Sequence, residues 1–416
     1  MKYYFWILGC AMNYSDAERI SAVLDSLGYT KTDDEKEADL FIVISCSVRQ
    51  SAINRIYGKV RDLKEIRSHK SAFKTVLTGC VLEKDRKKLE KVFDIMLEVK
   101  DLEKLPNLLG SKSKGLSGEY LSIQPQYEST FRAYVPISTG CDNFCSYCAV
   151  PYTRGREKSR PAAEIIAEVK DLITKDYKEI TLLGQNVNSY ADGLIGLFQN
   201  IDAISGDYRV YFYSNHPKDM SDELIETLAA LKHFPRYIHL PLQSGNDEII
   251  HKMNRHYTRS QYLKLVAKIR KTMPDVTFTT DIIVGYPGET AEQFLDTADV
   301  MRKVEYDMAF IAQYSPRPGT VSAKQTDDVT IEEKIRREKV LQEILAETVL
   351  KHNRKLVGTT QKVLIDEQKN GKFYGRTESF KVVEIKTDQP LTIGQFTDVK
   401  IESAGSWKLL GTIAQG

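Results

Sequence analysis

Residues 140–161 read GCDNFCSYCAVPYTRGREKSRP, which places Cys141, Cys145 and Cys148 within eight residues and follows them with Arg154, Arg156, Lys158 and Arg160. Structural zinc sites use two separated Cys pairs or a Cys pair and a His pair, and no fourth Cys or His lies nearby. Disulfide pairing would leave one of the three cysteines over. Iron–sulfur clusters take thiolates at such short spacing, commonly four per cubane, so three thiolates leave one iron open to a ligand. The alternative, a surface loop with incidental cysteines, fits poorly with three so closely ordered.

Outward from this stretch, the remaining cysteines are Cys10, Cys46 and Cys80, separated by 36 and then 34 positions. Each ends a short apolar run: YFWILGC, ADLFIVISC and FKTVLTGC. Such β-branched and aromatic runs predict strands, and the polar, helix-compatible segments after each predict strand–helix alternation. Alternation of this kind argues for a parallel sheet that gathers ligands at the carboxyl ends of its strands. Three cysteines at equivalent ends therefore predict one shared metal site. A single cysteine of this kind would be read as buried and inert. A Gly/Ser/Lys-rich stretch from residue 110, GSKSKGLSGE, reads as a linker.

A second alternation runs from residue 132. Its expected strands are AYVPIST, EITLLGQ, YRVYFYS, YIHLPLQ, TFTTDIIVG and MAFIAQYS, with helical patterns between most of them. Six such units predict an open partial barrel, since a closed eight-unit barrel typically takes about 250 residues. A long helix is expected over 330–357. Five short strands with Gly, Asn and Pro between them then predict a small β-barrel. The fold class is thus multidomain α/β: an N-terminal parallel-sheet domain (1–115), a central partial (β/α)6 barrel (127–357) and a C-terminal β-barrel (358–416).

The chain has 416 residues, 42% of them hydrophobic, and a net charge of +2. Near-neutral charge does not by itself announce a nucleic-acid binder, so any such surface must be local. No apolar run reaches the roughly 18 residues of a membrane span, and the opening residues lack the pattern of a signal peptide. A cytoplasmic protein is expected. In that reducing setting six cysteines serve as ligands or catalysts rather than disulfides.

The CxxxCxxC spacing after a first barrel strand, with Tyr147 before the last cysteine, resembles the radical S-adenosylmethionine enzymes. The segments GCAMNYSDAE, ISCSVRQSAINRIYGKV and TGCVLE before it resemble the methylthiotransferases of that superfamily. So do PYTRGREKSRP, SNHP, IHLPLQSGNDEIIHKMNRHYT, DIIVGYPGE and YSPRPGT after it. The likeness covers nearly the whole chain and is nearest to the MiaB type, which acts on tRNA. Ala11 stands where a glutamine is common, and GCVLE replaces the more usual GCMAQ.

The resemblance implies two 4Fe–4S clusters, one on Cys141, Cys145 and Cys148 and an auxiliary one on Cys10, Cys46 and Cys80. It implies S-adenosylmethionine contacts from Tyr147, Gly184, Gln185, Asn186, Gln243, Ser244, Asp281 and Gly285. In that family the open iron chelates S-adenosylmethionine, and one electron cleaves it to a 5′-deoxyadenosyl radical. The C-terminal barrel resembles the TRAM domain, an RNA-binding module. The implied reaction adds a methylthio group to carbon 2 of N6-isopentenyladenosine beside the anticodon. That C–H bond is neither acidic nor activated toward ordinary nucleophiles, so a radical route is needed.

The implied partners are tRNA, through its anticodon stem-loop, and an electron donor such as flavodoxin or ferredoxin. No membrane is involved, the sulfur donor is open and a monomer is expected. Arg154, Arg156, Lys158 and Arg160 are read as phosphate contacts, against the alternative of a solvated charged loop. Phe373, Tyr374, Phe380, Phe396 and Trp407 are offered as stacking residues, most of them expected in the barrel core. His216 and His239 are expected in polar core roles. Competing readings are methylthiolation of N6-threonylcarbamoyladenosine in tRNA, methylthiolation of a ribosomal protein, and an RNA-binding iron–sulfur redox sensor.

Overall fold

The computed structural model describes residues 1–46, 50–111 and 119–414. Most of the expected linker, at 112–118, lies outside them, as do residues 47–49.

The first sheet contains β1 (Lys2–Ile7), β2 (Thr30–Lys31), β3 (Leu40–Cys46), β4 (Lys74–Cys80) and β5 (Ile95–Met96). All five pair in parallel in the order β2-β1-β3-β4-β5. Helices α1 (Ala11–Ser26), α2 (Gln50–His69) and α3 (Glu83–Leu89) connect them, and a short α4 (Leu105–Leu108) follows. Strand β3 is buried at every position because both its faces are covered. Leu40, Ile42 and Ile44 pack with Ala17, Ile20 and Leu24 of α1, while Phe41 and Val43 pack with Ile53 and Ile56 of α2. The two-residue edge strands β2 and β5 have too little apolar pattern to be read from sequence.

The central domain holds β6 (Arg132–Pro136), β7 (Ser138–Thr139), α5 (Val150–Thr153), β8 (Lys158–Ser159) and α6 (Ala162–Thr174). It continues with β9 (Glu179–Leu183), α7 (Leu194–Asp202), β10 (Arg209–Phe212), α8 (Asp222–Ala230) and β11 (Tyr237–His239). Then come α9 (Asp247–Lys252), α10 (Arg259–Thr272), β12 (Thr277–Val284), α11 (Ala291–Val304), β13 (Met308–Gln313) and α12 (Ile331–Arg354). Two parallel three-stranded ladders, β10-β9-β6 and β11-β12-β13, form the curved wall. Side chains stitch the seam between β10 and β11: the Ser214 amide donates to His239 Nδ1 (3.1 Å) and Asn215 Nδ2 to the His239 carbonyl (3.0 Å). Edge strand β6 is covered by α1, where Ser15 Oγ donates to the Tyr134 carbonyl (3.4 Å).

Strand alternation sorts the two faces of this wall. Ile180, Leu182, Val210, Phe278, Ile282 and Val284 pack outward under the helices. Their neighbours Thr181, Tyr211, Thr279 and Asp281 therefore face the interior.

The last domain is a closed barrel of β14 (Thr360–Lys369), β15 (Lys372–Arg376), β16 (Val382–Lys386), β17 (Phe396–Ala404) and β18 (Leu409–Ile413), in the order β14-β15-β16-β18-β17. It docks on the amino-terminal ends of the central strands. Arg132, which opens β6, donates to Asp366 (2.6 Å), and Arg209, which opens β10, to the Lys362 carbonyl (2.7 Å). Asp307, just before β13, pairs with Lys381 (3.0 Å). Phe396 lies under the Arg209 guanidinium and Phe380 enters the floor of the larger barrel. Phe373 is barrel core, Tyr374 is half-buried, and Trp407 alone of the five aromatics is largely exposed, at 54%.

Candidate active site

The two cysteine groups rest on different local chemistry. Cys46 and Cys80 are the last residues of β3 and β4 and stand opposite each other in register. Cys10 lies three residues beyond β1, at the N-cap of α1, and its amide donates to Asn13 Oδ1 (3.2 Å). Two cysteines follow glycines that the fold demands. Gly79 has a φ of +87°, and a Cβ there would stand 2.5 Å from the Ser45 carbonyl oxygen. Gly140 has a φ of +82°, and its Cβ would stand 2.1 Å from the Arg156 carbonyl oxygen. Only glycine permits both the left-handed turn and the close approach that deliver the next residue, Cys80 or Cys141, to the site.

In the central loop every thiol accepts an N–H donor. Asn143 Nδ2 reaches Cys141 Sγ (3.6 Å), Arg255 Nη1 reaches Cys145 Sγ (3.6 Å) and the Val150 amide reaches Cys148 Sγ (3.4 Å). Burial and the neighbouring Cys145 push the Cys148 thiol up to about 12, and burial also raises Cys141. Such thiols ionise only when a cation shares their charge. Sulfurs that already receive N–H donors suit a cluster, whose potential such contacts tune. Among the described residues no three Cys, His, Asp or Glu side chains close around a single ion. A cubane spreads its thiolates over several irons and does not require that.

The mouth of the barrel carries unpaired polar atoms. Ser138 Oγ, Asn186 Oδ1, Asn215 Oδ1, His216 Nε2, His239 Nε2 and Thr279 Oγ1 are buried without a hydrogen-bond partner among the described residues. They come from five successive strands or strand ends, an arrangement that accommodates a polar ligand. Both histidines have fixed tautomers. The Lys218 amide donates to His216 Nδ1 (3.2 Å) and the Ser214 amide to His239 Nδ1, so each carries its proton on Nε2. Burial, then Arg255, lowers His216 to about 2, so its ring is neutral. His239 Nε2 stands 3.6 Å from Asp281 Oδ2, beyond good hydrogen-bond range.

The other residues read from the sequence divide into two groups. Tyr147 is half-buried against Ile249, Met253, Tyr286 and Tyr314. Gly184 abuts Ser138, where a Cβ would come within 2.6 Å of Oγ. Gln185 Oε1 accepts the Gly140 amide (2.5 Å), tying the end of β9 to the cysteine loop. Asn186 Nδ2 donates to Asp219 (2.9 Å). Gln243, at a left-handed φ of 68°, bonds the backbone of Asp281 and Ile283.

Four of the expected residues lie away from open surface. Ser244 is fully enclosed, its hydroxyl engaged by the Asn246 amide (3.3 Å) and Thr297 (3.5 Å). Gly285 is a buried turn residue whose amide donates to Glu289 (2.7 Å) and where a Cβ would come within 2.4 Å of the Lys334 stem. The Arg154 side chain is 5% exposed and pairs with the fully buried Asp16 (2.6 Å). Arg160 is 2% exposed and pairs with Glu168. Neither arginine presents charge to a phosphate. Arg156 stays on the surface, paired with Asp142 (2.6 Å) over the Phe144 ring, and Lys158 is exposed on β8.

Sequence reasoning missed Asn13, Asp16 and Arg255. Helix α1 buries Asn13, Ser15, Asp16 and Arg19, a polar face that reads from sequence as solvated surface. The only signal was their position directly behind Cys10.

Comparison with known proteins matches three regions: the Radical SAM superfamily over residues 135–301, Uncharacterized protein family UPF0004 over 2–99, and the TRAM domain over 354–414. In fold, the chain is similar to the radical S-adenosylmethionine methyltransferase TsrM from Kitasatospora setae, solved with cobalamin and a [4Fe-4S] cluster bound. The TM-score is 0.58 at 15% identity, over 77% of each chain. The tRNA-2-methylthio-N(6)-dimethylallyladenosine synthase of Clostridium novyi (strain NT) is 40% identical, covering 99% of this chain and 96% of the relative. That of Caldicellulosiruptor saccharolyticus is 41% identical, covering 99% and 92%. Identity at this level from end to end leaves no part of the chain unaccounted for, and the chain belongs to the tRNA-2-methylthio-N(6)-dimethylallyladenosine synthase family of radical S-adenosylmethionine enzymes.

Proposed function

We propose that this chain adds a methylthio group to carbon 2 of N6-isopentenyladenosine beside the anticodon of tRNA. Cys141, Cys145 and Cys148 would hold one 4Fe–4S cluster with S-adenosylmethionine, and Cys10, Cys46 and Cys80 a second. When bound, these groups supply the radical that attacks the inert C–H bond, and the sulfur and methyl that replace its hydrogen. The observation that carries this reading is the contact between the segment after the central cysteine loop and the N-terminal cysteine group. Arg154, six residues beyond Cys148, donates through Nε to Cys80 Sγ at 3.2 Å. The N-terminal cysteine group therefore borders the central cysteine loop, as radical formation and sulfur delivery to one base would require.

The chain's own residues bind and orient. His216 and His239 offer fixed Nε2–H donors at the mouth, and Asn186 and Asn215 offer carbonyl acceptors. The RNA module sits at the opposite end, under the amino-terminal strand ends. Strand β12 alone, at eight residues, spans about 26 Å between the two ends. A free nucleoside could not bridge that length, whereas an anticodon stem-loop can hold the floor-side module while its base enters the mouth. Remote contacts of this kind orient the reacting base. The electron donor is read as a flavodoxin or ferredoxin, and the chain as a monomer. No helix among the described residues is long and apolar enough to cross a membrane.

Nucleoside mass spectrometry of tRNA from a strain lacking the chain tests the proposal. The expected result is loss of the 2-methylthio derivative with accumulation of N6-isopentenyladenosine, restored by the wild-type chain. A variant with Cys10, Cys46 and Cys80 replaced by Ala should not restore it, yet should still cleave S-adenosylmethionine. An unchanged nucleoside profile, or loss of a threonylcarbamoyl derivative instead, would overturn the assignment.

A further inference from the structure

Arg154 comes from the central domain, but its side chain engages the N-terminal one. It donates through Nη2 to Asp16 Oδ2 (2.6 Å), through Nη1 to Asp16 Oδ1 (3.3 Å) and through Nε to Cys80 Sγ (3.2 Å). Asp16 is fully buried and also accepts Tyr120 Oη (2.5 Å) and Asn13 Nδ2 (3.2 Å). Asn13 completes the circuit. Its Oδ1 accepts the Cys10 amide (3.2 Å) and lies 3.7 Å from Cys10 Sγ, while its Nδ2 also reaches the carbonyl of Ser45, next to Cys46 (3.3 Å). One hydrogen-bonded network thus touches Cys10 and Cys80 and the residue before Cys46.

Burying a charged pair costs several kcal/mol per ion before attraction offsets it, and an apolar pair would often be as stable. A buried Arg–Asp fork is explained when it fixes something a greasy contact cannot. Here that is the separation and orientation of three cysteines carried on a helix N-cap and two strand ends.

We propose that Arg154 is a positioning residue for the N-terminal cysteine triad, anchored by Asp16. Through it the central cysteine loop sets both the geometry of that triad and the charge around its sulfurs. The proposal rests on reading Cys10, Cys46 and Cys80 as cluster ligands. Its electrostatic consequence has a sign. Removing the guanidinium deletes a cation at Cys80 and leaves the Asp16 carboxylate uncompensated, and both effects disfavour adding an electron to a cluster there. Neutralising Asp16 while keeping Arg154 does the opposite.

The test uses the full chain with Cys141, Cys145 and Cys148 replaced by Ala, reconstituted anaerobically, so that only the N-terminal triad can hold iron. Iron and sulfide content, chelator-driven iron loss and midpoint potential are measured for that chain and for the same chain carrying Arg154→Gln or Asp16→Asn. The expected results are iron loss roughly ten- to a hundredfold faster in Arg154→Gln, a more negative potential in Arg154→Gln and a more positive one in Asp16→Asn. Arg154→Lys, which keeps the charge and can hold one contact, should lie between Gln and Arg, and it serves if the Gln variant does not fold. Shifts of the same sign in Arg154→Gln and Asp16→Asn, or unchanged potential and iron retention, would overturn the positioning role. Absence of iron even with Arg154 and Asp16 intact would instead overturn the reading of the triad as ligands.

Discussion

Phe380 of the C-terminal barrel packs its ring 4.3 Å from that of Tyr211, inside the floor of the larger barrel, with Tyr237 at 5.0 Å on another side. It does so at a left-handed φ of 57°, a conformation that costs a non-glycine residue about 1 kcal/mol or more. Aromatic burial outweighs that cost, so the C-terminal barrel is held as a plug rather than tethered as a free domain. Phe380→Ala should weaken docking by about 3 kcal/mol. Limited proteolysis near the exposed Val357, just before the module, should then speed up, while secondary structure by circular dichroism stays unchanged. Equal cleavage rates in variant and wild type would mean that the polar contacts of Arg132, Arg209 and Lys381 suffice.

Metal content follows from the two cysteine groups. The anaerobically reconstituted chain should carry about eight irons, and replacing Cys141, Cys145 and Cys148 by Ala should bring that to about four. Iron unchanged by the triple substitution would remove the central loop as a ligand set.

Binding of RNA should separate into charge and stacking. Arg156→Ala with Lys158→Ala should weaken tRNA binding and flatten the log–log salt slope by about 0.7–0.9 for each phosphate that is no longer neutralised. Trp407→Ala should weaken binding by about 1–3 kcal/mol, the worth of one base–aromatic stack, and leave the slope alone. Arg160→Gln, whose guanidinium is buried against Glu168, should change stability rather than the slope. A salt slope that fell with Arg160→Gln and not with the surface pair would reverse this map of the interface.

The neutral His216 gives the fold an acid-side weakness. Its folded value of about 2 lies below the ordinary 6.5, so below pH 6.5 the unfolded chain takes up a proton that the folded chain refuses. Stability should therefore fall with decreasing pH in that window, by up to about 1.4 kcal/mol per pH unit from this group, and the effect should vanish above it. His216→Asn keeps an acceptor for the Lys218 amide and removes the titrating ring. Urea unfolding between pH 7 and 5 should show the wild type losing more stability than the variant; parallel pH profiles would refute the assignment.

Local pattern was enough to read the main elements and the six candidate ligands. Runs such as LFIVISC and TFTTDIIV read as strands from their β-branched and aromatic content, and three cysteines in eight residues have few chemical uses. Two of the N-terminal runs end in Cys46 and Cys80, so their common placement at one sheet edge was legible before any register was known. The short edge strands β2 and β5, the seam closed by His239 and the docking of Phe380 were not legible, since each depends on partners far along the chain.

The arginines mark that boundary most sharply. Arg154, Arg156, Lys158 and Arg160 form one basic run in the sequence, and local reasoning treats them alike. Tertiary structure divides them by what lies opposite. Asp16, 138 residues away, draws Arg154 inward, and Glu168 on α6 draws in Arg160, leaving Arg156 and Lys158 in solvent. A charge becomes a bridge or a surface contact according to its burial and its counter-ion, and both are properties of the folded chain that periodicity and composition do not encode.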